Sequence, residues 1–194
     1  MTKRKKQAKI LRIFRNIHRK TGAFLFLFFF VISITSLLLG WKKNSNGIIL
    51  PETEKGVSSN LNDWMSMDTL QTIAFRTLKT SVHENINIDL DRIDVRPEKG
   101  TVKFVFDNDY WEVQLDGATG EVLAIGKRRS DLIENIHDGS ILDTLFRTNG
   151  NILKLIYTTI MGSALLSFTI TGFWLWYGPK KMRNANKRKT ADLI

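Results

Sequence analysis

The sequence predicts a membrane protein: two transmembrane α-helices flanking a small α+β extracytoplasmic domain, a helix packed on an antiparallel meander. Three observations carry that prediction. Two long runs carry no charge, Ala23 to Trp41 and Leu155 to Tyr177. Basic residues crowd outside them. Between them, short alternating segments are separated by turn residues.

Residues 1–22 form a basic tail. Nine Lys and Arg lie before residue 41 with no acid among them. Residues 23–41 form the first span. Nineteen residues make a helix of about 28 Å, close to the hydrocarbon thickness of a bilayer. The run is longer than the core of a signal peptide and no small-residue cleavage site follows it, so it is expected to be retained. Residues 42–62 are rich in Asn, Ser and Gly and are expected to be a linker.

Residues 63–128 form the expected folded domain. Leu70, Ile73, Ala74, Thr77, Leu78, Ser81 and Val82 recur at helical spacing within Trp64 to Val82, with Asn62 or Asp63 as the cap. Three strands are expected next, Thr101 to Phe106, Tyr110 to Asp116 and Glu121 to Ile125, with Arg92 to Arg96 as a candidate fourth ahead of them. In Tyr110 to Asp116, Trp111, Val113 and Leu115 oppose Tyr110, Glu112 and Gln114. Residues 129–151 are a juxtamembrane segment, in which SDLIENIHDG reads as a short helix capped by Ser130 and ended by Gly139. Residues 152–177 form the second span, and 178–194 a second basic tail.

Lys- and Arg-rich flanks stay cytoplasmic. Both termini are therefore expected inside and residues 42–151, with 13 basic and 18 acidic residues, outside. This distribution makes anionic membrane lipid, not nucleic acid, the partner of the basic tails. Small residues stripe both spans, at Ser33, Ser36 and Gly40 and at Gly162, Ser163, Ser167 and Thr171, and suit close helix contact, in a homodimer among other arrangements. With no cysteine, disulfide and thiolate chemistry are excluded. No catalytic triad, nucleotide fingerprint or paired-carboxylate signature stands out. Asp89, Asp91 and Asp94 read as solvated turn and strand residues more readily than as a cation site, and Asp107 and Asp109 lack the rest of a calcium loop.

YWEVQLDGATGEVLAI is similar to the closing hairpin of PepSY domains. The flanks resemble the PepSY-associated transmembrane helix family in its short two-span form: His18, Arg19 and Gly22 in the first helix, His137-Asp138-Gly139 before the last, and Thr171-Gly172-Phe173-Trp174-Leu175-Trp176 at its end. The resemblance implies a protein of the bacterial inner membrane, with haem b as a cofactor, serving as an accessory or electron-transfer component of iron–siderophore reduction or uptake. His18 would be an axial ligand, with Arg15, Arg19 or Lys20 receiving propionates. From the residues alone, an interfacial histidine in a basic helix is the simpler account of His18. His137 is an outer haem ligand or a membrane-docking residue. His83, at the end of the outer helix, reads as structural. The alternative function is an extracytoplasmic binding or regulatory module that restrains a peptidase or scaffolds a transporter.

Overall fold

The computed structural model describes residues 3–82, 88–148 and 150–191, and the side chains of these except 3, 4, 108 and 185–191. His83 lies outside the described residues. The chain divides into two compact units, residues 1–34 with 137–194, and residues 35–136.

The first unit is built on two long helices, α1 (Lys3–Gly40) and α5 (Ile152–Ala191). Both continue through the charge-free runs into the basic tails. Each is long and apolar enough to cross a membrane, and in each the most apolar window is only 11% buried. A core helix of a soluble protein would be mostly buried, so the apolar surface of this pair is left outward. Short helix α4 (Ser140–Phe146) precedes α5.

The second unit carries α2 (Met67–Ser81), then β1 (Leu90–Arg96), β2 (Thr101–Phe106), β3 (Trp111–Asp116) and β4 (Val122–Lys127), paired antiparallel in sequence order. The last helix, α3 (Arg129–Asp138), leads out of it. One sheet face is apolar. Val102, Phe104, Phe106, Val113 and Leu115 bury against Leu70, Ala74 and Leu78 of α2. That is the expected helix-on-meander core.

Three local expectations are corrected. Helix α2 starts later than the periodicity suggests, because Ser66, not Asn62 or Asp63, accepts the Thr69 N–H. Asp63 is occupied upstream, accepting from the Ser58 hydroxyl. Strand β3 starts at Trp111 because Asp109 and Tyr110 both take left-handed backbone conformations, φ 59° and 58°, which end extended structure. Ser130 sits inside α3 and hydrogen-bonds Asp131 rather than capping the helix. Gly139 does end α3, at φ 81°.

The stretch whose composition suggests a linker has a defined path. Residues 48–58 lie as a strap across the second face of the sheet. The Glu54 N–H donates to Gln114 and the Gln114 amide donates to the Glu52 carbonyl. The Thr101 hydroxyl donates to the Glu54 carbonyl, and the Val57 N–H donates to Asp116 at 2.7 Å. Gly56 is required where strap and sheet are closest. A Cβ there would stand 2.2 Å from the Gly100 carbonyl oxygen.

Candidate functional site

The helix pair is organised by a seam. Along α5 from Tyr157 onward, and apart from Gly172 beside Thr171, the half-buried or buried positions with described side chains are Tyr157, Met161, Ala164, Phe168, Thr171, Leu175, Gly178 and Met182. Their spacing alternates between three and four, the 3.5-residue repeat of helices that coil around each other. On α1 the matching positions include Leu11, Phe14, His18, Thr21, Leu25 and Ile32. The helices run antiparallel: Leu11 lies over Gly178, His18 meets Thr171, and Leu25 packs with Met161 and Ala164. A Cβ at Gly178 would come within 2.6 Å of the Leu11 side chain and displace it.

The small-residue stripes contribute little to this contact. Of the residues expected to bring helices together, Thr171 belongs to the seam. Gly162 and Gly40 have nothing within 4 Å of a Cβ built on them, and Ser33, Ser36, Ser163 and Ser167 are exposed. Large residues of one helix instead meet small ones of the other.

His18 is the polar member of the seam. It is half-buried, and its ring packs against Phe168 with centroids 4.4 Å apart. Its Nδ1 lies 2.9 Å from the Thr171 hydroxyl. The Thr171 hydroxyl donates its single hydrogen back along α5, to the Ser167 carbonyl at 2.7 Å. The opposite tautomer requires the hydroxyl to donate to His18 instead; with its hydrogen on the Ser167 carbonyl, or on the Phe168 carbonyl at 3.2 Å, it accepts from a ring protonated at Nδ1. In the neutral ring, Nε2 is then left with the lone pair. That is the second-sphere arrangement by which ligating histidines are held in one tautomer and orientation.

The other expected residues are placed separately. Arg15 and Arg19 are exposed on α1 and line a shallow groove with Arg12, Ile13 and Asn16. His137 is half-buried in the last turn of α3. The residue after its neighbour Asp138, Gly139, packs on Tyr157. Tyr157 and Thr171 are 14 residues apart on α5, about 21 Å. The two histidines are not brought to one site.

Among the described residues, no three His, Cys, Asp or Glu gather as a metal site. Asp91 and Asp94 pair with Arg92, and Asp109 pairs with Lys127. These carboxylates are committed to ion pairs.

Two polar clusters escaped the sequence reading. On the strap side of the sheet, the fully buried Glu112 accepts from Lys103, Gln114 and Arg128. Arg128 continues to Asp131, which also accepts from Arg92 at 2.6 Å. Burial pushes the Asp131 carboxyl up, but hydrogen bonds from Arg92 and Arg128 outweigh it and hold it below the ordinary range. Burial pushes the Lys103 ammonium down despite Glu112 beside it.

The second cluster is at the start of α5. Asp143 of α4 accepts from the Thr148 hydroxyl and from the Leu153 and Lys154 N–H groups at 3.0 and 2.7 Å. It thus caps α5 from ten residues upstream. Burial raises its carboxyl, and these hydrogen bonds more than offset that, so it lies below the usual range. A local cap would have shown at position 150 or 151; a distant one left no pattern to find.

The fold and seam define a class: two apolar helices of spanning length, coiled antiparallel, with a strap-covered four-stranded α+β unit between them in sequence. Compared with protein-family models and with curated proteins, the chain matches none.

Proposed function

We propose that the chain is a two-pass protein of the bacterial inner membrane, with both termini cytoplasmic, that holds haem b through His18 and serves as an accessory or electron-transfer component of iron–siderophore reduction. The observation that supports this reading is the His18–Thr171 hydrogen bond, which suits a ring protonated at Nδ1 with Nε2 able to coordinate. An axial ligand needs that state. The residues around it fit one ligand, not two: Phe168, Thr171 and Gly172 adjoin the ring. A second imidazole then comes from another chain, most simply from the same residue across a two-fold axis. Arg15 and Arg19 are the cations available to propionates.

When bound, haem supplies one-electron chemistry. The chain's own part is to fix the His18 tautomer, to exclude water with the apolar seam, and to keep the site near the basic end of the span. The resemblance to the PepSY-associated family and the charge asymmetry of the tails support the same reading.

The experiment is an absorbance spectrum of detergent-purified protein from haem-sufficient cells. A b-type spectrum is expected. H18A should abolish it while circular dichroism stays unchanged. T171V should keep the haem but shift its midpoint potential, since the ligand's proton partner is lost. A colourless, folded protein would end the haem reading and leave the regulatory one. Orientation is tested separately. Cysteines at Ser59 and Asn184, in a chain with no other cysteine, should be labelled from outside intact spheroplasts at the first position only.

A further inference from the structure

Helix α4 is amphipathic, and its two sides have different fates. Asp143 points to one side and is only 6% exposed, because it caps α5. By helical spacing, Ile141, Leu142, Leu145 and Phe146 share the other side. Ile141 and Leu142 are half-buried, whereas Leu145 is 71% and Phe146 66% exposed. Two large apolar side chains side by side in water need an explanation; single ones do not.

Their position supplies one. The Asp143 carboxylate touches the N–H groups of Leu153 and Lys154, and the charge-free run of α5 begins one residue later. Gly139 packs on Tyr157, and Lys154 pairs with Asp138 at 2.5 Å. Both ends of the α3–α4 corner are therefore tied to the first turns of α5. That holds α4 beside the first turns of α5, close to where α5 becomes wholly apolar. The exposed apolar surface continues on α5 itself, at Ile152 (55%) and Leu155 (70%). Arg147, exposed, follows directly on Phe146.

We propose that α4 is an interfacial wedge: Leu145 and Phe146 insert into the outer leaflet at the boundary of headgroups and acyl chains, with Arg147 at the level of the lipid phosphates. The surface is continuous with the lipid-facing side of α5. Aromatic and aliphatic side chains beside a cation suit that boundary. The occupant is the bilayer, not a protein groove. The proposal rests on the two-span reading and is independent of haem. The wedge fixes the depth at which the chain leaves α3 and enters α5.

The test uses the full chain in phosphatidylethanolamine–phosphatidylglycerol vesicles, with single nitroxide-labelled cysteines at Phe146, Leu145, Leu165 and Ser59. Collisions with oxygen, which concentrates in lipid, are compared with collisions with a water-soluble nickel chelate. The oxygen-to-nickel ratio at 146 or at 145 should fall between the high value at mid-span Leu165 and the low value at Ser59. Two label sites guard against one substitution perturbing α4. A Ser59-like ratio at both sites, with Leu165 in lipid, overturns the wedge and leaves the spans standing. Shielding of both sites from both reagents also overturns it, because protein then covers the face. A water-exposed Leu165 overturns the two-span reading first, and the wedge with it.

Discussion

The two faces of the β-sheet are buried to the same degree by opposite means. On the α2 side, Val102, Phe104, Phe106, Val113 and Leu115 are fully buried among apolar neighbours. On the strap side, Thr101, Lys103, Glu112, Gln114 and Asp116 are at most 3% exposed. The first face gains from removing apolar area from water, about 25 cal/mol per Å². The second gains little of this kind, through Val105. It is tolerable only because each polar group has a partner, and it is exacting for the same reason. Remove a methylene from the first face and a cavity results; remove a partner from the second and a charge is stranded.

The largest expected effect tests that contrast directly. E112A leaves Lys103 and Arg128 facing a buried void and should cost about 3–5 kcal/mol. F104A on the other face should cost about the same, from cavity and transfer terms. The two are separated by rescue. Combining Lys103→Met with Glu112→Leu should recover most of the loss, because a buried pair can be replaced by apolar groups of similar volume. No second change at Val102 should rescue F104A. Urea unfolding of the detergent-solubilised chain, followed by Trp64 and Trp111 fluorescence, measures all of these.

Next in size is the strap. Asp116 accepts from the Val57, Ala118 and Thr119 N–H groups. D116A should cost more than about 1.5 kcal/mol, the low end for a single hydrogen bond to a charged group. Amide exchange should also accelerate at Val57, while exchange within α2 is unchanged. Equal acceleration on both sides would show that the faces are not separable.

Acid sharpens the comparison further. The Asp131 carboxyl lies below its unfolded value, so its contribution is present above about pH 3.9 and is lost as pH falls through the lower, folded value. Stability should be flat from pH 7 to about 5 and fall below about 4. D131N should flatten that fall while lowering stability at pH 7. F104A should leave its shape unchanged. Urea midpoints across this range decide it. The smallest effect is at the edge of the apolar side: S66A removes the α2 cap and should cost about 1 kcal/mol.

The same contrast explains what the sequence could disclose. Alternation in TVKFVF and WEVQLD fixes which residues share a face, and helical spacing in α2 says what covers the apolar one. Nothing in Lys103 or Glu112 says that their face is also covered. Its cover is a backbone strap, and backbone groups have no side-chain signature. The Asn-, Ser- and Gly-rich composition that marked residues 42–62 as a linker is what a closely approaching strap also requires, as Gly56 shows. At the candidate site, His18 was legible as a polar residue in a basic helix. Its partner Thr171 stood in a stripe of small residues and at the head of the Thr-Gly-aromatic motif, but nothing paired it with His18, since the two lie 153 positions apart and no local pattern joins them.

That pairing has a consequence for how the helices find their alignment. A heptad seam is nearly indifferent to sliding by seven residues, about 10.5 Å, because each slip sets apolar positions against apolar positions again. His18 is not indifferent. One slip sets it against Ala164 and the other against Gly178, and neither offers a hydroxyl. In an apolar seam, an imidazole left without its hydrogen-bond partner is costly enough to favour a single register. A lone hydrogen bond in an apolar seam thus acts as a detent, adding to the fit of large residues against small ones in choosing one setting for the helix pair.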